Sequence, residues 1–200
     1  MKKPGLAAVC LLLLWGCKAA PEISKYEAGD YVVYKYYGIY RPVPITLTER
    51  VLAKTGGNKL ELLVEWQSGK EARVWKQFVT DTAYNRANNI VDRLVLLENG
   101  RETELPNRDN LDLFRLYEGT YLIAQHMPRL VKEEKLALPV GGGSCLCRVR
   151  TYKTKVLGMH ATMTVADSEE FKWTNVSTTY KDIKGGLLYA VEVAECGSKK

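Results

Sequence analysis

Five cysteines, two histidines and a few hydroxyl and carboxyl groups are the side chains of this sequence that could do chemistry. Cys145 and Cys147 stand two apart in an apparent strand, and Cys196 lies near the C-terminus. Two steps along a strand separate Cα atoms by nearly 7 Å, too far for a disulfide without bending the strand. The expected bond therefore joins either Cys145 or Cys147 to Cys196 and leaves the other thiol as a small buried apolar group. A Cys-x-Cys pair with no helix start beside it lacks the setting of a redox centre. His126 and His160 are isolated, without metal-ligand spacing, so no metal or cofactor is expected. Gly141-Gly142-Gly143-Ser144 is glycine-rich but opens a strand, and it matches neither a phosphate loop nor a nucleophile elbow. Ser144 with His126 or His160 makes a triad only on paper, because any chain of this length holds such a set. Glu133-Glu134 and Glu169-Glu170 are adjacent pairs whose side chains diverge, as solvated charges do. The expectation is a protein that is not an enzyme.

The N-terminus is more specific. Lys2 and Lys3 precede an uncharged, mostly apolar run from Gly5 to Gly16, which Lys18 ends. That run is too short to span a bilayer, which takes about 20 apolar residues, and has the form of an export signal. Leu14-Trp15-Gly16-Cys17 resembles the lipobox of bacterial lipoproteins, with Leu14, Gly16 and Cys17 in the motif's aliphatic, small and cysteine positions. The resemblance implies cleavage before Cys17, a diacylglycerol on its thiol and an acyl chain on its amine. Several acyl chains anchor a protein stably. Lys18 is not the Asp that retains such proteins in the inner membrane, so the implied address is the outer membrane, on its periplasmic face or the cell surface. The implied organisation is a signal peptide over 1–16, lipidated Cys17 with a tether to residue 25, and one β-rich domain over 26–200.

Removing Lys2 and Lys3 lowers the formal charge from +6 to +4. The basic residues are interleaved with acidic ones, and only Arg148, Arg150, Lys153 and Lys155 form a local run. No nucleic-acid partner is expected, since that would need a clustered basic footprint.

The chain reads as mainly β. Asp30 to Tyr37 (DYVVYKYY) is dense in β-branched and aromatic residues and forms the first strand, which Arg41-Pro-Val-Pro44 breaks. A hairpin across Gly56-Gly57 sets Leu47 opposite Trp66, Val51 opposite Leu62 and Ala53 opposite Leu60. A three-residue loop, Ser68-Gly69-Lys70, sets Trp66 opposite Ala72, Val64 opposite Val74 and Leu60 opposite Phe78, which matches apolar positions to one face. Strands follow over 90–98 and 101–105, then a helix near 110–122 with Leu113, Leu116, Tyr117 and Tyr121 at helical spacing. Strands return over 144–156, 159–166, 171–173, 178–183 and 187–196. The expected fold is a curved antiparallel sheet or half-barrel of about eight or nine strands with that one helix.

Five of the twelve tyrosines fall between Tyr31 and Tyr40. Tyr34 and Tyr36 share one face of the first strand and Tyr31 and Tyr37 the other, so this strand is either covered on both sides or lines a cavity. With Leu62 and Trp66, Tyr34 and Tyr36 form the candidate apolar groove, since Tyr suits a wall that is apolar with a polar tip. The Pro-Val-Gly-Gly-Gly-Ser-Cys-Leu-Cys strand entry, with Trp173 before a last strand ending in Cys-Gly, resembles β-rich periplasmic lipoproteins of the half-barrel kind of LolA and LolB. The resemblance implies a curved sheet that can shelter acyl chains. Two functions follow as expectations: an envelope component that binds protein partners, or a binding or carrier protein for an apolar ligand such as a lipid.

Overall fold

In the computed structural model, residues 23–88, 90–105, 128–173 and 175–199 are described. They form strands β1 (Asp30–Gly38), β2 (Arg41–Thr55), β3 (Lys59–Ser68), β4 (Glu71–Thr80), β5 (Arg93–Glu98), β6 (Arg101–Leu105), β7 (Arg129–Val140), β8 (Gly143–Val156), β9 (Met159–Asp167), β10 (Ser177–Asp182) and β11 (Leu187–Ser198), with one short helix, α1 (Ala83–Asn88). The Thr82 hydroxyl caps α1 by accepting from Asn85 N at 3.1 Å. The expected helix near 110–122 lies outside the described residues.

All eleven strands join one curved, open antiparallel sheet in the order β6-β5-β4-β3-β2-β1-β11-β10-β9-β8-β7. The chain meanders from β1 out to one edge, resumes at the other edge with β7, and meanders back until β11 pairs with β1. The tyrosine-rich first strand is therefore the central one. Eleven strands are present where about eight or nine were expected. β7 escaped the sequence reading because its charges and Pro139 break the apolar pattern, and both suit the edge strand that it is. Phe171-Lys172-Trp173 is not a strand but part of the β9–β10 connection, with Phe171 and Trp173 buried.

Register decides which residues share a face. Leu47 pairs with Trp66 and Val51 with Leu62, as expected. A bulge then leaves Leu52 without a partner, so that Ala53 lies opposite Glu61 rather than Leu60. The second hairpin differs more. Ser68 pairs with Glu71 across the two-residue turn Gly69-Lys70, and Gly69, at φ 57, occupies the first turn position where glycine is favoured. This one-residue difference turns β4 over. Trp75, opposite Val64, is 1% exposed and Gln77 is buried, whereas Ala72 is exposed and Val74 and Phe78 are half-buried. Burying the indole outweighs matching Ala72 and Val74 to the core. The Arg93 guanidinium covers the Phe78 ring at 3.9 Å.

Val32, Tyr34 and Tyr36 enter the main core with Ile45, Leu47 and Val64. On the opposite face of β1, the Tyr31 hydroxyl donates to Glu195 Oε1 at 2.6 Å and the Tyr37 hydroxyl to Glu192 Oε2 at 3.0 Å. Both faces of the aromatic strand are thus occupied.

Candidate functional site

The segment leading back toward Cys17 is docked onto the sheet. Ser24 is buried, its N donating to Gly57 O at 2.9 Å and its carbonyl accepting from Lys54 Nζ at 2.9 Å. Gly29 N donates to Val51 O at 2.8 Å. The Tyr26 ring lies 4.8 Å from that of Trp173, and Lys172 Nζ pairs with the buried Asp30 carboxylate at 2.7 Å. Burial alone would raise the Asp30 pKa. Hydrogen bonds from Lys172, Glu27 N and Ser198, with the Lys172 charge, bring it below the usual value instead. These contacts fix the chain's point of departure beside the β2–β3 turn. Ser24 and Lys25, expected in the tether, belong to the folded body, and Ile23 is the first described residue, 74% exposed.

Tyr34, Tyr36, Leu62 and Trp66 do lie on one face. Tyr34 pairs with Leu47 and Leu47 with Trp66, in one row across β1, β2 and β3. The Tyr34 and Tyr36 rings meet edge-on at 6.4 Å. All four side chains are buried. Two clefts lined by described residues lie elsewhere.

One of these clefts, of about 440 Å³, adjoins the thiols. Cys147, Phe171 and Trp173 line its apolar part, and Lys135, Asp167 and Glu170 are among its charged walls. Cys145 and Cys147 are both on β8, as expected, and all three of Cys145, Cys147 and Cys196 are free thiols here. Cys145 Sγ donates to Ser168 Oγ at 3.0 Å. Burial pushes the Cys147 thiol up to about 11, with the neighbouring Cys145 thiol adding to the shift. Burial raises the Cys196 thiol as well, with the Cys145 thiol and the Glu195 carboxylate adding to the shift.

Ser144 and His160 cannot meet. Ser144 opens β8 beside the β7–β8 turn, while His160 pairs with Lys155 at the far end of that strand. Eleven steps of extended chain put them roughly 35 Å apart. His126 lies outside the described residues. Arg148 and Arg150 of the basic run both engage Asp167, at 3.6 and 2.6 Å. Among the described residues no cluster of His, Cys, Asp or Glu could hold a metal, and no helix is long and apolar enough to cross a membrane.

What the sequence reading missed is a fringe of exposed aliphatic side chains on the hairpin tips at the end of the sheet away from Ser24. The signal for it was present: Leu157-Gly158 stands where Asn-Gly is the ordinary turn.

No known family profile matches the chain, and no curated protein does. Solved structures are similar in outline. MucB of Pseudomonas aeruginosa, seen in complex with MucA, is 10% identical with a TM-score of 0.42, over 86% of this chain and 52% of that one. The chain thus spans about half the length of MucB. A candidate exported protein of Bacteroides fragilis with a YmcC-like fold is 10% identical with a TM-score of 0.41, over 88% and 99% of the two chains. A candidate lipoprotein of Parabacteroides distasonis is 11% identical with a TM-score of 0.39, over 88% and 97%. At this distance the function of the chain has to be argued from its own residues.

Proposed function

We propose that the protein is a lipid-anchored component of the outer membrane, with residues 1–16 as signal peptide, Cys17 as the lipidated residue and the sheet as a non-catalytic module that binds envelope proteins. The observation supporting this reading most directly is the docking of Ser24 on Gly57 and Lys54. From Cys17 to Ile23 is six residue steps, at most about 20 Å. An acylated Cys17 would therefore keep the Gly57 end of the sheet at the bilayer. The test is the mass of the N-terminal peptide from membranes. A peptide beginning at acylated Cys17 is expected, and one that keeps residues 1–16 or has a bare Cys17 would overturn the reading. Crosslinking in intact cells tests the second half. Recovery of one recurrent envelope partner is expected, and adducts no different from those of an unrelated lipoprotein would count against it.

A second reading, carriage of an apolar ligand such as an acyl chain, is supported by Tyr34, Tyr36, Leu62 and Trp66 sharing one face. It predicts lipid that stays with the protein through native mass spectrometry and is lost in Trp66→Ala.

In the oxidising envelope the same reading pairs Cys145 with Cys196. Two thiols give up two protons and two electrons to a protein disulfide donor, which leaves as a dithiol. Cys147, the most deeply buried of the three, is the spare thiol.

A further inference from the structure

The end of the sheet away from Ser24 is made of hairpin turns, and most of them expose an aliphatic side chain. Ile39 in the β1–β2 turn is 67% exposed and Ile183 in the β10–β11 turn 80%. Val43, Leu157 and Met159 are about half exposed. The tips form one fringe. Ile39 N donates to Leu187 O at 3.3 Å, which joins the β1–β2 and β10–β11 hairpins. The β8–β9 tip follows through pairing of Asp182 with Ala161, and a Cβ on Gly69 of the β3–β4 turn would meet Val43 at 3.3 Å.

Leu157 shows that this exposure is not incidental. In the β5–β6 turn the residue before the glycine is Asn99, at φ 50, an ordinary occupant of the left-handed region. In the equivalent β8–β9 turn that position holds Leu157, also at φ 50. A leucine is strained there, and being half exposed it returns no core burial. Strain without burial points to something outside the domain that takes up the side chain.

Basic residues outnumber acidic ones on the fringe. Lys70, Lys181 and Lys184 are exposed on the tips, with Arg41 and Lys155 beside them. Asp182, the acidic residue between Lys181 and Lys184, is held by its own turn, accepting from Lys184 N and Gly186 N at 2.8 Å each. Aliphatic tips among five cations, against the two carboxylates of Asp182 and the exposed Glu71, fit the interfacial zone of an anionic bilayer, where apolar groups enter below the headgroups and cations meet the phosphates.

We propose that this fringe docks on the anionic surface of the bilayer that holds the Cys17 anchor. The geometry allows both contacts. β2 runs 15 residues, roughly 50 Å, from the tips to the Gly57 end, and the stretch between Cys17 and Ile23 spans up to about 20 Å. A domain lying along the membrane can then be held at one end by lipid and at the other by the tips. The proposal rests on the anchor reading only for which bilayer is touched.

The test is hydrogen exchange of the full lipidated chain in phosphatidylcholine vesicles with and without phosphatidylglycerol, at low and high salt. Amides at 157–159 and 183–185 should exchange on the order of tenfold more slowly with phosphatidylglycerol at low salt. The protection should fall at high salt and vanish in the double variant Leu157→Asn, Ile183→Ser. Leu157→Asn installs the residue found at Asn99, so the hairpin keeps its turn and the fold is retained. Unprotected tips, or protection equal in phosphatidylcholine alone, would overturn the proposal. So would protection that grows with protein rather than vesicle concentration, since a second copy would then cover the tips. The mass of the N-terminal peptide is read on the same sample: tip protection with a bare Cys17 keeps the docking surface and removes the anchor, and the converse removes the docking surface alone.

Discussion

The sulfur of Cys196 lies 2.6 Å from the point that a Cβ on Gly141 would occupy, and the Cys196 nitrogen lies 2.8 Å from it. Only a glycine lets the β7–β8 turn come this close to β11. Gly141 also sits at φ 56, in the region an L side chain enters at a cost. The contact brings the β7–β8 hairpin, with Cys145 on it, back toward the last strand, although β9 and β10 lie between β8 and β11 in the sheet.

Gly141→Ala should therefore destabilise by about 2 kcal/mol or more, combining conformational cost with displacement of β11. Gly142→Ala, at φ 88 with nothing within 4 Å, should show the conformational cost alone, about 1 kcal/mol. Urea midpoints of the two variants check this, and equal losses would mean that the close approach is unimportant.

Asp30 and Lys172 tie the start of β1 to the β9–β10 connection. The folded-state pKa of Asp30 is depressed, so its contribution is present above the ordinary carboxylate pKa and is lost as pH falls through the folded value. Asp30→Asn should cost about 1–3 kcal/mol at neutral pH. The gap between wild type and variant should close on acidification below the usual carboxylate range. Urea unfolding across that range checks it, and a gap independent of pH would contradict the sign.

Cys147 should be the slowest thiol. With its pKa pushed to about 11 and its side chain 0% exposed, it has almost no thiolate near pH 8. In reduced native protein, iodoacetamide should modify Cys145 well before Cys147, and urea should abolish the difference. Peptide mass mapping over time reads this directly. Equal native rates would contradict the burial of Cys147.

Leu157→Asn should raise stability by roughly 0.5–1 kcal/mol, because it relieves a left-handed leucine without emptying any core site. A thermal or urea midpoint checks it. The mirror change, Asn99→Leu in the β5–β6 turn, should lower stability by a similar amount.

Much of the sheet could be read from local pattern. The alternation of Leu47, Val51, Leu62 and Trp66 fixed the first hairpin as far as the bulge at Leu52, because a slip of one residue would have turned its whole apolar set to solvent. The second hairpin was ambiguous for the same reason: Val74 and Phe78 on one face and Trp75 and Gln77 on the other offered two usable patterns. The choice lay in the Gly69-Lys70 turn and the deep burial of Trp75. β7 was hidden because an edge strand need not alternate.

The candidate sites divide in the same way. Tyr34, Tyr36, Leu62 and Trp66 could be placed on one face from period-two spacing, and the tertiary structure added that this face is buried. Ser144 with His160 made a triad only on paper, and the length of β8 separates the two.

By itself, the sequence determined strand content, the aromatic first strand and the lipobox-like N-terminus, all properties of neighbouring residues. The tertiary structure decided that β1 is central and pairs with β11, that the Ser24 segment is docked on Gly57, and that exposed side chains from separate turns gather into one fringe. Those outcomes depend on contacts between residues distant in sequence, more than a hundred positions for β1 with β11 and for Ile39 with Leu187, which twist and curvature bring together and no local period encodes.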